Sequence, residues 1–348
     1  MTQSSFSRRT LLGGGAATAV GLALSRAIPA TAQATPENGG ATPPVDGVFP
    51  VTISHVYGET TFDSAPKRIA TVSWIDQDVV IALGTVPVGM PYYTWGGDGE
   101  GFLPWTRAAI GDRPLPVLYD NANGLPFETI VELAPDAIIG IYSGMTQDEY
   151  DTLSKIAPTV AYPAIPFGTS WEDVTRIIGQ IMGKAATAEQ LVQDTTTLVQ
   201  AAGADYPQLE GKTFAYGSPS ETGLYIYTTV DARVQLLSLL GMTPSPFVEA
   251  LPVGDDQSAF FVDISSERLG EIDADILILW FGAQEQADAV ADMPTIGGIS
   301  AYANGAYVPI IGETDVMAVS APSPLSIPYI IESYVPKLAA AADKVPTA

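Results

Sequence analysis

The sequence predicts an α/β protein of two lobes with mostly parallel sheets, joined by a single long helix. Three observations carry this. Apolar strand-like runs alternate with short helical stretches in two separate blocks of the chain, the alternation expected of βαβ units. A long amphipathic segment separates the blocks. One pattern, E-x-[IL]-x-E-[IL]-x-[PA]-D-x-[IL]-I, occurs once in each block, at 128–139 and again at 267–278. The copies lie 139 positions apart, far beyond the roughly 20–50 residues of a solenoid repeat. The pattern reads as a short amphipathic helix, an acidic turn and a buried strand. It also fits a generic helix-to-strand junction, so the surrounding elements have to decide.

The first 32 residues are an address. Arg8 and Arg9 form a twin arginine ahead of an apolar run from Leu11 to Leu24, and Ala30-Thr31-Ala32 offers a small-x-small cleavage site before Gln33. The apolar run falls short of the ~18 residues of a membrane-spanning helix. Residues 33–47, rich in Pro, Gly, Thr and Asn, read as a flexible leader.

The N-terminal block, 48–168, opens with a strand-like stretch at 51–57. A strand follows over 68–73, then a helix over 75–83 closed by Gly84, and another apolar run at 86–90. Strands over 137–142 and 159–162 flank a helix over 146–156. The segment 169–206 is helical; between 188 and 202 the apolar and small residues fall on one helix face. With an interruption only at Gly183-Lys184, its second part is long enough to connect two lobes rigidly. The C-terminal block, 207–348, continues with strands over 213–218 and 224–228, a helix over 232–240 stopped by Gly241, and strands over 259–264 and 276–281. A closing helix runs over 323–342.

Composition excludes several functions. There is no cysteine, hence no disulfide, thiolate site or lipid-anchored cysteine. The net charge is −24 and becomes −27 without residues 1–32, which carry three arginines and no acids. Such a field repels nucleic acid and anionic membranes. The single histidine, His55, has no nucleophile motif beside it and reads as structural. No zinc, phosphate-loop or dinucleotide pattern is present. An enzyme is not expected.

What remains is a set of aromatic residues near strand ends, where open parallel sheets bind ligands. Trp74 follows a predicted strand, and Tyr142 and Trp280 lie at the ends of two others; Tyr93, Trp95, Trp105 and Arg107 lie in one aromatic loop region. Flat rings with an occasional arginine suit a bulky, partly aromatic anionic ligand.

In their order along the chain, several segments resemble the substrate-binding proteins of ABC importers for ferric siderophores, haem and vitamin B12. They include Pro66-Lys67-Arg68-Ile69-Ala70-Thr71-Val72, Ala82-Leu83-Gly84, Pro126-Phe127-Glu128 through Ile139, and Ile156-Ala157-Pro158. Ser266-Glu267 through Leu279 and Ala301 through Val308 complete the set, over roughly 50–345. The resemblance implies two α/β lobes on one helix, a ligand cleft between them, and one glutamate per lobe, Glu128 and Glu267, docking on arginines of a permease dimer. It also implies no resident cofactor, iron arriving as cargo of a ferric siderophore, and a monomer in the periplasm or cell envelope. Arg107 and Arg233 are then the cations best placed for an anionic siderophore. The arginine that the hydroxamate-binding branch places before the first-lobe glutamate has no counterpart in 119–124. Haem or corrinoid capture, and bare ferric ion held by tyrosines such as Tyr92-Tyr93, are the alternatives within binding proteins. A cell-surface adhesion protein is the alternative from another class.

The address reading has a direct check: sequencing the exported protein is expected to find Gln33 at its N-terminus, and Met1 or Thr2 there would overturn it.

Overall fold

The computed structural model describes residues 43–121, 124–254 and 260–346. The expected signal segment, most of the leader and the first residue of the strand expected at 259–264 lie outside the described residues.

The first block opens on an antiparallel hairpin, β1 (Val51–His55) and β2 (Gly58–Phe62). A five-stranded parallel sheet follows: β3 (Ile69–Thr71), β4 (Gly89–Pro91), β5 (Val117–Tyr119), β6 (Ala137–Ile139) and β7 (Thr159–Val160). Their order is β5-β4-β3-β6-β7. Every residue of β3, β4 and β6 is buried, as expected of strands covered on both faces. Strand order reverses at β3, with β4 on one side and β6 on the other, and this opens a crevice at the carboxyl ends.

Two helices connect the blocks, Trp171–Ile181 and Ala185–Ala204. Gly183, at φ 64°, breaks the path between them. The second has 20 residues, about 30 Å of rise. It buries Ala188, Val192, Thr195, Val199 and Gly203, nearly the predicted stripe. Gly203 is required by contact: a Cβ there would stand 2.3 Å from the Leu240 carbonyl oxygen, so only glycine lets this helix seat on the second block.

The second sheet contains β8 (Thr213–Pro219), β9 (Gly223–Tyr227), β10 (Thr243–Pro244), β11 (Phe261–Ser265), β12 (Ile276–Phe281) and β13 (Tyr307–Ile311). Its order is β11-β9-β8-β12-β13, with β10 beside β8. Here the mostly parallel expectation meets a mixed sheet. The link 220–222 between β8 and β9 is too short for a crossover, so β9 returns antiparallel and takes β11 as an antiparallel neighbour. A closing helix, Ser326–Ala342, packs back onto the core.

The repeated pattern has a structural reason in both blocks. Asp136 precedes β6 and accepts hydrogen bonds from the Lys67 and Arg68 amides at 2.7–3.0 Å, pinning the chain that enters β3. Asp275 precedes β12 and accepts from the Thr213 amide at 2.9 Å, pinning the start of β8. In each sheet the aspartate locks the register of two neighbouring strands. The equivalent helices differ in detail: Phe127–Glu132 is α-helical and Ser266–Glu271 is 3-10.

One buried carboxylate ties the blocks together. Asp78, in the helix Asp76–Ala82, accepts from Trp105 Nε1 at 2.8 Å, Thr106 Oγ1 at 2.6 Å and Ser323 Oγ at 2.7 Å. Ser323 Oγ in turn accepts from the Leu325 and Ser326 amides, at the start of the closing helix. His55 is structural, as expected: it is buried, bonded to Thr60 Oγ1 at 3.1 Å and packed on Tyr150, and burial lowers its pKa.

Burial pushes Asp78 up to about 6 against the pull of its donors. A carboxyl raised in this way adds stability that is complete below its unfolded value, near pH 4, and is lost as pH rises through its folded value. Asp78→Asn is therefore expected to be most costly near pH 4. In urea unfolding its deficit should shrink by up to about 3 kcal/mol on the way to neutrality; a deficit that grows with pH would refute the assignment.

Candidate functional site

A cavity of about 530 Å³ opens between the blocks, within the range of small-molecule sites. The first block contributes through the chain just beyond each parallel strand. Trp74 follows β3, Tyr92 through Trp95 follow β4, Asp120 follows β5, Tyr142 follows β6, and Phe167 lies beyond β7. From the second block come Asp231, Arg233, Phe260, Trp280, Met317 and Ser320. Most of the wall is aromatic or apolar, and Arg233 is its one cation among the described residues.

The rings are held rather than loose. Tyr93 is buried and donates its hydroxyl to the Trp74 carbonyl at 2.6 Å, while Gln77 Nε2 donates to both oxygens at 2.8 Å. Burial, then the nearby Asp78 charge, raise the Tyr93 hydroxyl well above its ordinary value. That hydroxyl is buried and committed to Trp74 and Gln77, so Tyr92-Tyr93 does not present two free phenol oxygens to bare ferric ion. Trp74 is 46% exposed, its ring 5.3 Å from Phe167, which also meets Tyr142 edge-on at 5.9 Å. Phe167 has φ 56°, a strained value for a non-glycine residue, and these contacts hold it there.

Tyr142 is placed by the second carboxylate of the Asp76–Ala82 helix. Asp76 is fully buried and accepts from the Ile141 amide at 2.7 Å and the Tyr142 amide at 3.3 Å. Burial, then the Asp231 charge, push the Tyr142 hydroxyl up to about 12, leaving a neutral phenol at the wall.

On the facing side, Trp280 Nε1 donates to Tyr227 Oη at 2.9 Å. Its ring meets Trp95 edge-on at 6.1 Å, closing one flank across the two blocks. A latch lies beside this pair: the Gly96 amide donates to Glu313 Oε2 at 3.1 Å, and Thr314 Oγ1 donates to the Gly96 carbonyl at 2.9 Å.

Arg233 stands over the Tyr227 ring at 3.8 Å. Its Nε and Nη2 bind the two oxygens of Asp231 at 2.9 and 3.0 Å, and Nη1 binds Ser320 Oγ at 3.2 Å. Burial works against its charge, but Asp231 and then Tyr227 outweigh that, so Arg233 stays cationic.

Six of the eight expected ligand residues thus meet at one cavity: Trp74, Tyr93, Trp95, Tyr142, Arg233 and Trp280. Two do not. Trp105 and Arg107 belong to the helix Pro104–Ile110, which turns them away from the wall. Trp105 is buried against Tyr329 and bound to Asp78. Arg107 lies over Phe102 at 5.3 Å and 4.0 Å from Glu100, a partly exposed pair of little energetic weight. Phe167, Phe260 and the Asp231–Ser320 frame around Arg233 were not foreseen. The strand-end rule that selected Trp74 and Tyr142 reaches Phe167 as well, since it lies in the loop after β7.

Glu128 and Glu267 are exposed near the starts of equivalent helices in the two blocks. Neither forms an ion pair among the described residues. Within the same residues, no helix is long and apolar enough to cross a membrane, and no group of three His, Cys, Asp or Glu is arranged for a metal ion.

Comparison with known proteins places this geometry. The ferrichrome complex of PiaA from Streptococcus pneumoniae TIGR4 superposes with a TM-score of 0.78 at 33% identity, over 85% of this chain and 99% of that one. A periplasmic solute binding protein from Mycobacterium smegmatis gives 0.73 at 26% identity, over 84% and 99%. The iron(3+)-hydroxamate-binding protein YxeB of Bacillus subtilis is 26% identical over 147 residues, 42% of this chain and 40% of YxeB. These are binding proteins, not enzymes. Residues 69–309 match the family model described as Periplasmic binding protein, so with more than half its length matched the chain belongs to the periplasmic binding protein family.

Proposed function

We propose that this protein captures a ferric siderophore in the cavity between its lobes and delivers it to the permease dimer of an ABC importer. The observation that carries the reading is the cavity itself: about 530 Å³, walled by aromatic rings from both lobes, with one cation among the described residues and a few neutral donors. A siderophore supplies all the oxygens its iron needs, so the protein has to hold a bulky organic complex rather than a metal. That matches the described residues, among which no three His, Cys, Asp or Glu are grouped for a metal ion. The ferrichrome held by PiaA and the name of YxeB support the same class of cargo.

Delivery rests on Glu128 and Glu267. Two exposed carboxylates, one per lobe and without ion pairs among the described residues, suit bidentate arginine pockets on a two-fold permease. Export by the twin-arginine route puts the protein, a monomer, outside the cytoplasm, where such a permease meets it.

One experiment with two readouts tests this. The chain from Gln33 is unfolded thermally with ferric hydroxamate, catecholate and carboxylate siderophores, haemin and cobalamin. A ligand at 100 times its Kd is expected to add about 2.7 kcal/mol. The variant carrying Glu128→Lys and Glu267→Lys should keep that shift yet lose uptake in cells that depend on this protein. Silence across the panel would overturn the capture reading, and normal uptake by the double variant would overturn the docking role.

A further inference from the structure

The charge of the cavity wall points to the class of ferric complex it accepts. Arg233 is the only cation on the described wall, and the Asp231 carboxylate already grips it at 2.9 and 3.0 Å. Both side chains are nearly buried, 13% and 5% exposed, so solvent screens the pair weakly and the two charges balance locally. Asp120 adds a second carboxylate. The described wall therefore offers no cation without a counter-ion, inside a chain of net charge −24. Arg107 is elsewhere, and Arg233 carries its counter-ion with it.

Polar recognition is still available without net charge. A guanidinium has five N–H groups, and three of those of Arg233 are committed, two to Asp231 and one to Ser320. The remaining two can donate to a ligand oxygen. The indole N–H groups of Trp74 and Trp95 make no hydrogen bond within the described residues and are neutral donors on the same wall.

We infer that the cavity selects ferric complexes of zero net charge, and that Asp231 is the residue that sets this selectivity. The inference rests on the siderophore reading above. Three monoanionic hydroxamates neutralise ferric iron; three dianionic catecholates leave a trianion. A neutral trihydroxamate meets rings and neutral donors. A trianion would have to approach the nearly buried Asp231 and the exposed Asp120 carboxylate, with a guanidinium that already has its partner.

The test compares two probes by calorimetric titration of the chain from Gln33: ferrichrome, a neutral trihydroxamate, and ferric enterobactin, a trianionic tricatecholate. The neutral probe is expected to bind at least about 100-fold more tightly. Asp231→Asn, which keeps the side-chain shape and releases the arginine charge, should narrow that ratio by about tenfold. Because it also disturbs a buried pair, its fold is checked by circular dichroism. Asp120→Asn, at an exposed position, provides a second narrowing that does not depend on the pair. Equal or tighter binding of the tricatecholate by the unaltered protein would overturn the inference and leave the capture reading standing, as would unchanged ratios in folded variants. Binding of neither probe, nor of any other siderophore, would overturn both.

Discussion

A buried carboxylate, Asp78, holds this molecule in register. It lies in the first turn of a seven-residue helix and is surrounded by three donors from two places: Trp105 and Thr106 on one helix, and Ser323. The last of these lies across the chain, at the head of the closing helix. An unpaired charge at such a depth would be prohibitive, so the donors must stay, and their fixed positions set how the second lobe meets the first. Two residues earlier, Asp76 does the same for the loop that bears Tyr142. One short helix end therefore fixes both the lobe junction and part of the ligand wall.

The wall inherits that rigidity. Tyr93 is bonded to the carbonyl of Trp74, and Trp280 to Tyr227. A ligand entering such a cavity orders few side chains, and the entropy that ordering would cost is already absorbed in the fold. The left-handed backbone at Phe167 is the local cost, of order 1–3 kcal/mol, offset by packing between Trp74 and Tyr142.

Much of this was legible because parallel sheets put function where strands end. Period and turn signals locate β3, β6 and β12, and the residues that follow or end them, Trp74, Tyr142 and Trp280, come together at the cavity. The repeated pattern was legible too, and its aspartates tie neighbouring strands. The loop from Tyr92 to Arg107 was harder. An aromatic-rich loop does not reveal that a helix begins at Pro104 and turns Trp105 toward Asp78, a contact 27 positions away in sequence. Arg233 was visible as a cation, but its charge balance was not. A carboxylate two residues earlier becomes a counter-ion only when the helix start curls both side chains together and Ser320 closes the frame from 87 positions downstream.

The arrangement of rings has an optical consequence. Of the five tryptophans in the chain, Trp74, Trp95 and Trp280 stand on the cavity wall, while Trp105 and Trp171 are buried elsewhere. A paramagnetic complex that absorbs visible light, seated among the first three, would quench their emission. The protein therefore carries its own gauge of occupancy: its native fluorescence dims as the cavity fills.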